Sequence, residues 1–109
     1  MEEKSLLLNL TGNMPFFKII DFLLENKGMD FSKTDIAREA KISRASLFNY
    51  WSELEKHGIV KVTRSFGKTK LYALNTINPV TTKIIELEKA LISETLEKEQ
   101  KKEELLIEN

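Results

Sequence analysis

SKTDIAREAKISRASLFNYWSELEKHGIVKVTRSFGKTKLYALN, residues 32–75, is the stretch of this chain that decides the fold. Ser32 is a favourable N-cap, and Asp35 in the first turn after it favours a helix start there. The small apolar face of this short helix is formed by Ile36, Ala37 and Ala40. Ile42 then closes a tight turn, so the pattern predicts the first half of a helix-turn-helix.

A second helix is predicted to begin after Ser43, which is again a favourable N-cap. Its apolar residues recur at the i, i+3, i+4 and i+7 spacing of one helical face: Leu47, Tyr50, Trp51 and Leu54. Gly58 follows as the residue that ends the helix, because glycine readily adopts the left-handed C′ conformation. With that stripe buried, the opposite face carries Arg44, Ala45, Phe48, Asn49 and Ser52. A helix that presents such a face can enter the major groove of DNA.

Residues 59–64 and 70–75 are predicted to form a β-hairpin, because apolar and polar residues alternate along both segments. The alternation permits two registers, in which Val60 and Val62 oppose either Leu71 and Ala73 or Tyr72 and Leu74. Residues 65–69 are expected to form the turn, with Gly67 able to take a positive φ angle. A hairpin directly after a helix-turn-helix predicts a winged helix.

Positive charge is concentrated on this stretch, although the whole chain has no net charge. Residues 41–75 carry seven Lys and Arg against two Glu, which gives a net charge of +5. Residues 1–40 carry five positive and seven negative side chains, and residues 76–109 carry five and eight. An ordinary solvated surface is the alternative interpretation, but the coincidence of charge with the helix pattern favours double-stranded DNA as the partner.

The predicted DNA-contacting residues lie on the recognition helix, on the start of the helix before it and on the wing. They are Lys33, Thr34, Ser43, Arg44, Ala45, Ser46, Phe48, Asn49, Arg64, Lys68 and Lys70. Arg44 is expected to pair with guanine or to hold a phosphate, and Asn49 can pair with adenine. Phe48 either contacts thymine methyl groups or covers the preceding helix. The wing residues are expected to follow the DNA backbone or the minor groove.

The rest of the chain flanks this unit. Residues 1–12 form an N-terminal segment in which the leucines at 6–8 and 10 indicate a short strand or a helical turn. Residues 13–78 form the winged helix-turn-helix domain, which opens with an apolar helix after Pro15. Residues 79–109 form a C-terminal helix with no Gly or Pro after its start. The predicted fold is therefore mainly α with a small β-hairpin.

The C-terminal helix carries two apolar stripes. One has the spacing of a coiled-coil seam and consists of Val80, Ile84, Leu87 and Leu91; its neighbour consists of Ile85, Ile92 and Leu96. Two stripes are too much apolar surface for a helix on one small domain, so we expect one to pack on the core and the other on a second copy. The prediction is a two-fold homodimer; the alternative is a monomer that buries both stripes itself.

Four motifs carry a family resemblance: IIDFLLEN, FSKTDIAREAKISRASLFNYW, LEKHGIVKVTRSFGKTKLYALN and INPV. Through them the chain resembles small archaeal winged-helix transcriptional regulators of the MarR/ArsR-like group. The resemblance covers roughly residues 12–92 and implies a dimeric regulator whose second helix of the motif reads DNA. Lys41 stands where many such turns have glycine. The chain has no Cys and a single His, His57, so the metal sensing of one branch of this group does not carry over.

The sequence predicts neither an enzyme nor a bound cofactor, because it has no nucleophile–base pair, phosphate loop or metal-ligand spacing in a recognisable setting. No apolar run approaches the length of a membrane helix, and the chain lacks cysteine, so no membrane partner and a cytoplasmic location are expected. No sequence feature identifies a small-molecule effector. The alternative function is a winged-helix module that binds proteins without specific DNA binding.

Overall fold

The computed structural model describes residues 5–107 as five helices and a two-stranded antiparallel hairpin. In chain order the elements are α1 (Leu6–Thr11), α2 (Pro15–Glu25), α3 (Lys33–Glu39), α4 (Arg44–Lys56), β1 (Val60–Phe66), β2 (Thr69–Leu74) and α5 (Pro79–Ile107). The predicted fold class, mainly helical with a small hairpin and a long C-terminal helix, is confirmed.

The N-terminal leucines form a helix, α1, and not a strand. Its N-cap is Ser5, whose hydroxyl oxygen accepts a hydrogen bond from the backbone N–H of Leu8. The same hydroxyl donates to the carboxylate of Asp21 on α2, which ties the first helix to the second. Leu7 is buried, and α1 packs against both α2 and α5. This segment therefore contributes directly to the core of the domain.

Both helices of the helix-turn-helix begin where the sequence predicts. The hydroxyl of Ser32 accepts from the backbone N–H of Asp35 at 3.1 Å, and that of Ser43 accepts from Ser46 at 3.0 Å. Each cap satisfies an N–H that the helix itself leaves without an acceptor. Between them Lys41 adopts a φ angle of 59°, the left-handed conformation for which glycine is common in such turns.

The hairpin strands extend further than predicted, and the turn is shorter. Ser65 pairs with Lys70 and Phe66 with Thr69, so only Gly67 and Lys68 remain as the connection. Predicting residues 65–69 as turn was therefore wrong, because Ser65, Phe66 and Thr69 continue the ladder. The register is the one that places Val62 opposite Tyr72. Phe31 adds a single antiparallel bridge to Tyr72, so the segment before α3 lies beside the hairpin.

The core lies between the helices and one face of the hairpin. It is formed by Leu7, Ile19, Ile20, Leu23, Leu24, Ile36, Ala37, Leu47, Trp51, Leu54, Ile59, Val60, Tyr72 and Leu74. The ring centroids of Trp51 and Tyr72 are 4.8 Å apart at an angle of 77°, an edge-to-face contact between α4 and β2. Burial of Trp51 confirms the predicted register of α4.

The junction between the hairpin and α5 is held by Asn78. Its side-chain oxygen accepts from the backbone N–H groups of Val80 and Thr81 at 3.0 and 3.1 Å. Its side-chain nitrogen donates to the carbonyl of His57 at 2.9 Å, at the end of α4. One side chain therefore caps α5 and also attaches its start to the end of α4.

The C-terminal helix extends beyond the domain. With 29 residues, α5 is roughly 44 Å long, whereas the shorter dimensions of the molecule are 29 and 20 Å. Thr81 is buried, and Ile84 and Ile85 pack against the core. Within residues 5–107, no helix combines the length and apolar character that crossing a membrane requires.

Candidate nucleic-acid interface

The face of α4 that points away from the core is exposed, as the apolar spacing predicts. Leu47, Trp51 and Leu54 are buried. The residues that face the solvent are Arg44, Ala45, Phe48, Asn49 and Ser52. The helix therefore presents one arginine, one amide and one aromatic ring on this face, and Glu53, Glu55 and Lys56 are exposed towards its C-terminal end.

The hydroxyl groups of the two serines at the start of α4 differ in how far their hydrogen bonds are used within the helix cap. The hydroxyl of Ser43 accepts from the backbone of Ser46 and donates to the hydroxyl oxygen of Ser46 at 3.1 Å. Since a hydroxyl has one hydrogen to donate, that of Ser43 is used within the cap. The hydroxyl hydrogen of Ser46 is the one that remains available to an acceptor outside the helix.

Lys33, the first residue of α3, lies against three aromatic rings. Its ammonium nitrogen is 5.7 Å from the ring centroid of Phe48, 5.3 Å from that of Trp51 and 5.6 Å from that of Tyr72. These distances are within the range of cation–π attraction. The lysine thereby joins the start of α3 to α4 and to β2, an interaction that sequence analysis did not predict.

Phe48 is largely exposed, and its ring lies within cation–π distance of Lys33. Its side chain is 59% exposed, so it does not cover α3 in the way a core residue would. Thr34 is exposed beside Lys33 at the start of α3. The charged group of Lys33 and the ring of Phe48 consequently form one surface at the junction of the two helices.

The wing carries three of the predicted DNA-contacting residues, in two different environments. Lys68 lies in the turn and Lys70 on β2, and both are exposed. Arg64 is instead held by Asp30, which precedes α3. Its Nε and Nη2 atoms each donate to the carboxylate of Asp30 at 2.9 Å. The structure thus separates two exposed lysines from an arginine that is already paired.

The pairing shifts the pKa values of both Asp30 and Arg64. Hydrogen bonds from Arg64, followed by one from the hydroxyl of Thr63, lower the pKa of Asp30 to about 2. The same hydrogen bonds with Asp30 raise the pKa of the Arg64 guanidinium. Sequence analysis missed Asp30 and Thr63, because Asp30 is 34 residues away from Arg64 and no helical or strand spacing connects them.

A cavity of about 600 Å³ lies on the side of the domain where α1, α2 and the α3–α4 turn meet. Its lining combines carboxylates and ammonium groups, contributed by Lys18, Asp21, Glu25, Glu39 and Lys41. Partial burial, and then the negative charges of Asp21 and Glu88, raise the pKa of Glu25. None of the predicted DNA-contacting residues lines this cavity.

The predicted dimerisation residues divide between core and solvent. Ile84 and Ile85 pack against the core, and Leu91 is half-buried. The exposed members are Val80, Leu87, Ile92 and Leu96. An open apolar groove of about 470 Å³ runs along one side of α5 past Val80 and Leu87.

Comparison with known structures supports the winged-helix architecture. A double mutant of ZitR from Lactococcus lactis superposes with a TM-score of 0.60 at 19% identity, over 84% of this chain and 67% of that one. AntR, an antimony-specific transcriptional repressor, gives 0.57 at 20% identity, over 84% and 78%. Lactococcus lactis ZitR, described as a zinc-responsive MarR family member, gives 0.52 at 18% identity, over 81% and 58%.

At these identities the likeness establishes the fold. Of these neighbours, AntR is described as a transcriptional repressor and ZitR as a member of the MarR family. No protein-family model matches the sequence, and no curated protein matches it.

Among residues 5–107, no three His, Cys, Asp or Glu side chains are grouped as metal ligands. The expectation that metal sensing does not carry over to this chain stays a prediction, and the resemblance to archaeal regulators in particular stays an interpretation of the sequence.

Proposed function

We propose that this protein is a dimeric transcriptional regulator that binds double-stranded DNA in a sequence-specific manner. The observation that carries the proposal is the exposed face of α4, with Arg44 and Asn49, beside a junction where α3, α4 and the hairpin meet around Lys33. The fold shared with ZitR and AntR supports the same function.

In the proposed complex, the recognition helix, residues 43–57, enters the major groove. Arg44 in its first turn donates to guanine or to a phosphate, and Asn49 pairs with adenine one turn further along. Ala45 and the ring of Phe48 contact thymine methyl groups. Ser43, Ser46, Lys33 and Thr34 lie where the DNA backbone passes the helix N-termini, and residues 64–70 of the wing contact the backbone or minor groove.

The dimer is proposed from α5. This helix protrudes from the domain and exposes Leu87, Ile92 and Leu96. Apolar side chains at helical spacing on an extended helix are covered most simply by the same helix of a second copy. A two-fold dimer would present two copies of α4 to two half-sites of a palindromic operator. Such a regulator acts where the genome is held, so we propose a cytoplasmic location.

The experiment that tests the proposal is selection of bound duplexes from a random DNA pool, followed by titration of the enriched duplex and a shuffled duplex of the same composition. We expect enrichment of a palindromic motif and at least about tenfold tighter binding to it than to the shuffled duplex. Retention of no duplex at low salt would reject DNA binding and leave the alternative of a protein-binding winged helix.

A further inference from the structure

We infer that Asp30 is a positioning residue for DNA binding, which holds the guanidinium of Arg64 so that its free edge faces a backbone phosphate. The inference deepens the proposed function and rests on it. It gives the positively charged side chains of the wing different roles in DNA binding. Lys68 and Lys70 act as flexible charges, whereas Arg64 acts as an oriented donor.

The hydrogen bonds leave one edge of Arg64 free. The pairing with Asp30 uses Nε and Nη2, which form the side edge of the guanidinium. A guanidinium has more N–H donors than one carboxylate accepts, so both N–H groups of Nη1 and the second of Nη2 remain. The Nη1–Nη2 edge presents parallel donors that match two oxygens of one phosphate.

Exposure shows which of the two partners faces outward. The Asp30 side chain is 19% exposed, whereas that of Arg64 is 59% exposed. The carboxylate therefore lies on the protein side of the pair and the guanidinium on the solvent side. The Arg64 guanidinium carbon also lies 5.6 Å from the centroid of the Phe66 ring, which restricts the guanidinium from a second direction.

A β-bulge places Arg64 on the face of the hairpin where Asp30 can reach it. Val62 pairs with Tyr72 and Arg64 pairs with Leu71, so Thr63 is the extra residue. Because strand side chains alternate between faces, an unbroken ladder would pair Arg64 with Lys70 and turn it to the other face. The hydroxyl of Thr63 also donates to the Asp30 carboxylate, at 2.6 Å.

The backbone beside Asp30 is fixed to the hairpin as well. Phe31 and Tyr72 exchange two backbone hydrogen bonds, each 2.8 Å long. Asp30 is therefore attached to β2 through its neighbour and to β1 through its own side chain. These attachments fix the carboxylate before DNA arrives, and a donor that is already oriented loses less conformational entropy on binding.

The opposite interpretation is that Asp30 merely neutralises Arg64 and keeps it from DNA. The two interpretations predict effects of opposite sign for Asp30→Asn. Removing a negative charge near DNA strengthens binding if Asp30 only neutralises the arginine. If Asp30 positions Arg64, the same substitution weakens binding despite the more favourable net charge.

We therefore expect Asp30→Asn to bind the selected duplex roughly 5- to 10-fold more weakly than the wild type, which corresponds to removing about one oriented charge-assisted hydrogen-bond pair. The shuffled duplex should lose affinity by a similar factor, because phosphates are common to all sequences. Equal or tighter binding by Asp30→Asn would overturn the inference. A loss confined to the selected duplex would overturn the assignment to phosphate.

Glu94→Gln is the matched control. Glu94 is also paired with a cation, Lys98 at 3.2 Å, and its removal changes the net charge by the same amount on the distant helix α5. We expect its affinity for DNA to match that of the wild type. Circular dichroism and thermal melting of each variant establish that the fold is retained.

A double-mutant cycle separates positioning of Arg64 from a general effect on the fold. In an Arg64→Ala background, Asp30→Asn should have no further effect on DNA affinity, or a slightly favourable one. Additive losses would overturn the inference. If Asp30→Asn does not fold, Arg64→Lys carries the test, because lysine keeps the charge but lacks the planar fork.

Arg64→Lys should lose nearly as much affinity as Arg64→Ala, and wild-type affinity for Arg64→Lys would show that charge alone suffices. The inference and the proposed function fail in distinguishable ways. Wild-type protein that binds no duplex rejects the function, whereas wild-type binding together with undiminished binding by Asp30→Asn rejects only the role of Asp30.

Discussion

Helices α4 and α5 both carry apolar stripes, but they bury them differently. The stripe of α4 is covered by the rest of the chain: Leu47 is 1% exposed, Trp51 3% and Leu54 0%. On α5, Leu87 is 38% exposed, Ile92 43% and Leu96 59%. The apolar stripe of α4 is therefore buried entirely by its own chain, and the opposite face of the helix is available for a ligand. In contrast, α5 has apolar surface that the chain alone does not cover.

The largest effect is expected where α4 is most completely buried. Trp51→Ala should lower the free energy of unfolding by about 3–5 kcal/mol, because it removes a large side chain from a close-packed core. Chemical denaturation monitored by far-UV circular dichroism measures this. Ser52→Ala, on the exposed face of the same helix, is the control and should stay within about 0.5 kcal/mol of the wild type. A loss below about 1 kcal/mol for Trp51→Ala would contradict the assigned core.

Substitutions in the exposed apolar stripe of α5 should weaken self-association and leave the fold intact. Ile92→Lys combined with Leu96→Lys should weaken self-association by at least about 100-fold, because charged groups replace apolar side chains on both protomers. Sedimentation velocity across a concentration series measures the change, with Lys89→Ala on the same helix as control. A wild-type chain that is monomeric at micromolar concentration would refute the dimer. A double variant that associates as well as the wild type would instead show that Ile92 and Leu96 do not form the interface.

Arg44→Ala tests the exposed face of α4. We expect a loss of roughly 1–3 kcal/mol in binding to the selected duplex and relaxed preference at one base pair of each half-site. The loss on non-specific DNA should be smaller, since there the arginine interacts with phosphate alone. Titration of both duplexes at fixed salt measures this. A folded variant with unchanged affinity and site preference would mean that α4 does not read DNA as proposed.

The wing lysines should show a smaller effect that does not depend on sequence. Lys68→Ala with Lys70→Ala should weaken binding to all duplexes alike. The slope of log K against log salt should fall by about one for each lysine–phosphate interaction removed per protomer. Lys98→Ala with Lys101→Ala on α5 provides a control with the same charge change. Retention of the wild-type slope by the wing variant would exclude these lysines as phosphate-binding groups.

The smallest effect concerns the titration of Asp30. Its pKa of about 2 lies below the ordinary value of 3.8, so the Asp30–Arg64 pair favours the folded state above pH 3.8. This contribution is lost as the pH falls towards 2. In Arg64→Ala the pKa of Asp30 should return towards 3.8, with Arg38→Ala as a control that leaves it low. NMR titration of the side-chain carboxyl carbon measures both values, and an unchanged low pKa in Arg64→Ala would contradict the pairing.

Features that depend on residues close together in the chain could be predicted from the sequence. The caps at Ser32 and Ser43, the end of α4 shortly before Gly58, whose φ angle is 70°, and the buried register of α4 depend on side chains within two helical turns. Their geometry is fixed by the helix itself, so composition and spacing are sufficient. The exposed face of α4 then follows, because the residues opposite a buried stripe must face outward.

Choices between equivalent local patterns needed the tertiary structure. Both alternating sets of β2 are apolar, so the register was settled by the packing of Tyr72 on Trp51. The leucines of α1 fit a strand or a helix, and the helix is attached to α2 by the hydrogen bond from Ser5 to Asp21. In both cases the deciding partner is distant in the chain.

At the proposed site, too, interactions between residues distant in the chain could not be predicted from the sequence. The sequence selected Lys33, Arg44, Arg64, Lys68 and Lys70 by charge and position, which did not identify the side chain that each of them contacts within the protein. Only the folded chain places Lys33 over three rings and Arg64 against Asp30 while leaving Lys68 and Lys70 exposed. Spacing along a helix or strand specifies which way a side chain faces. Its partner depends on which separate segments the hydrophobic core brings together.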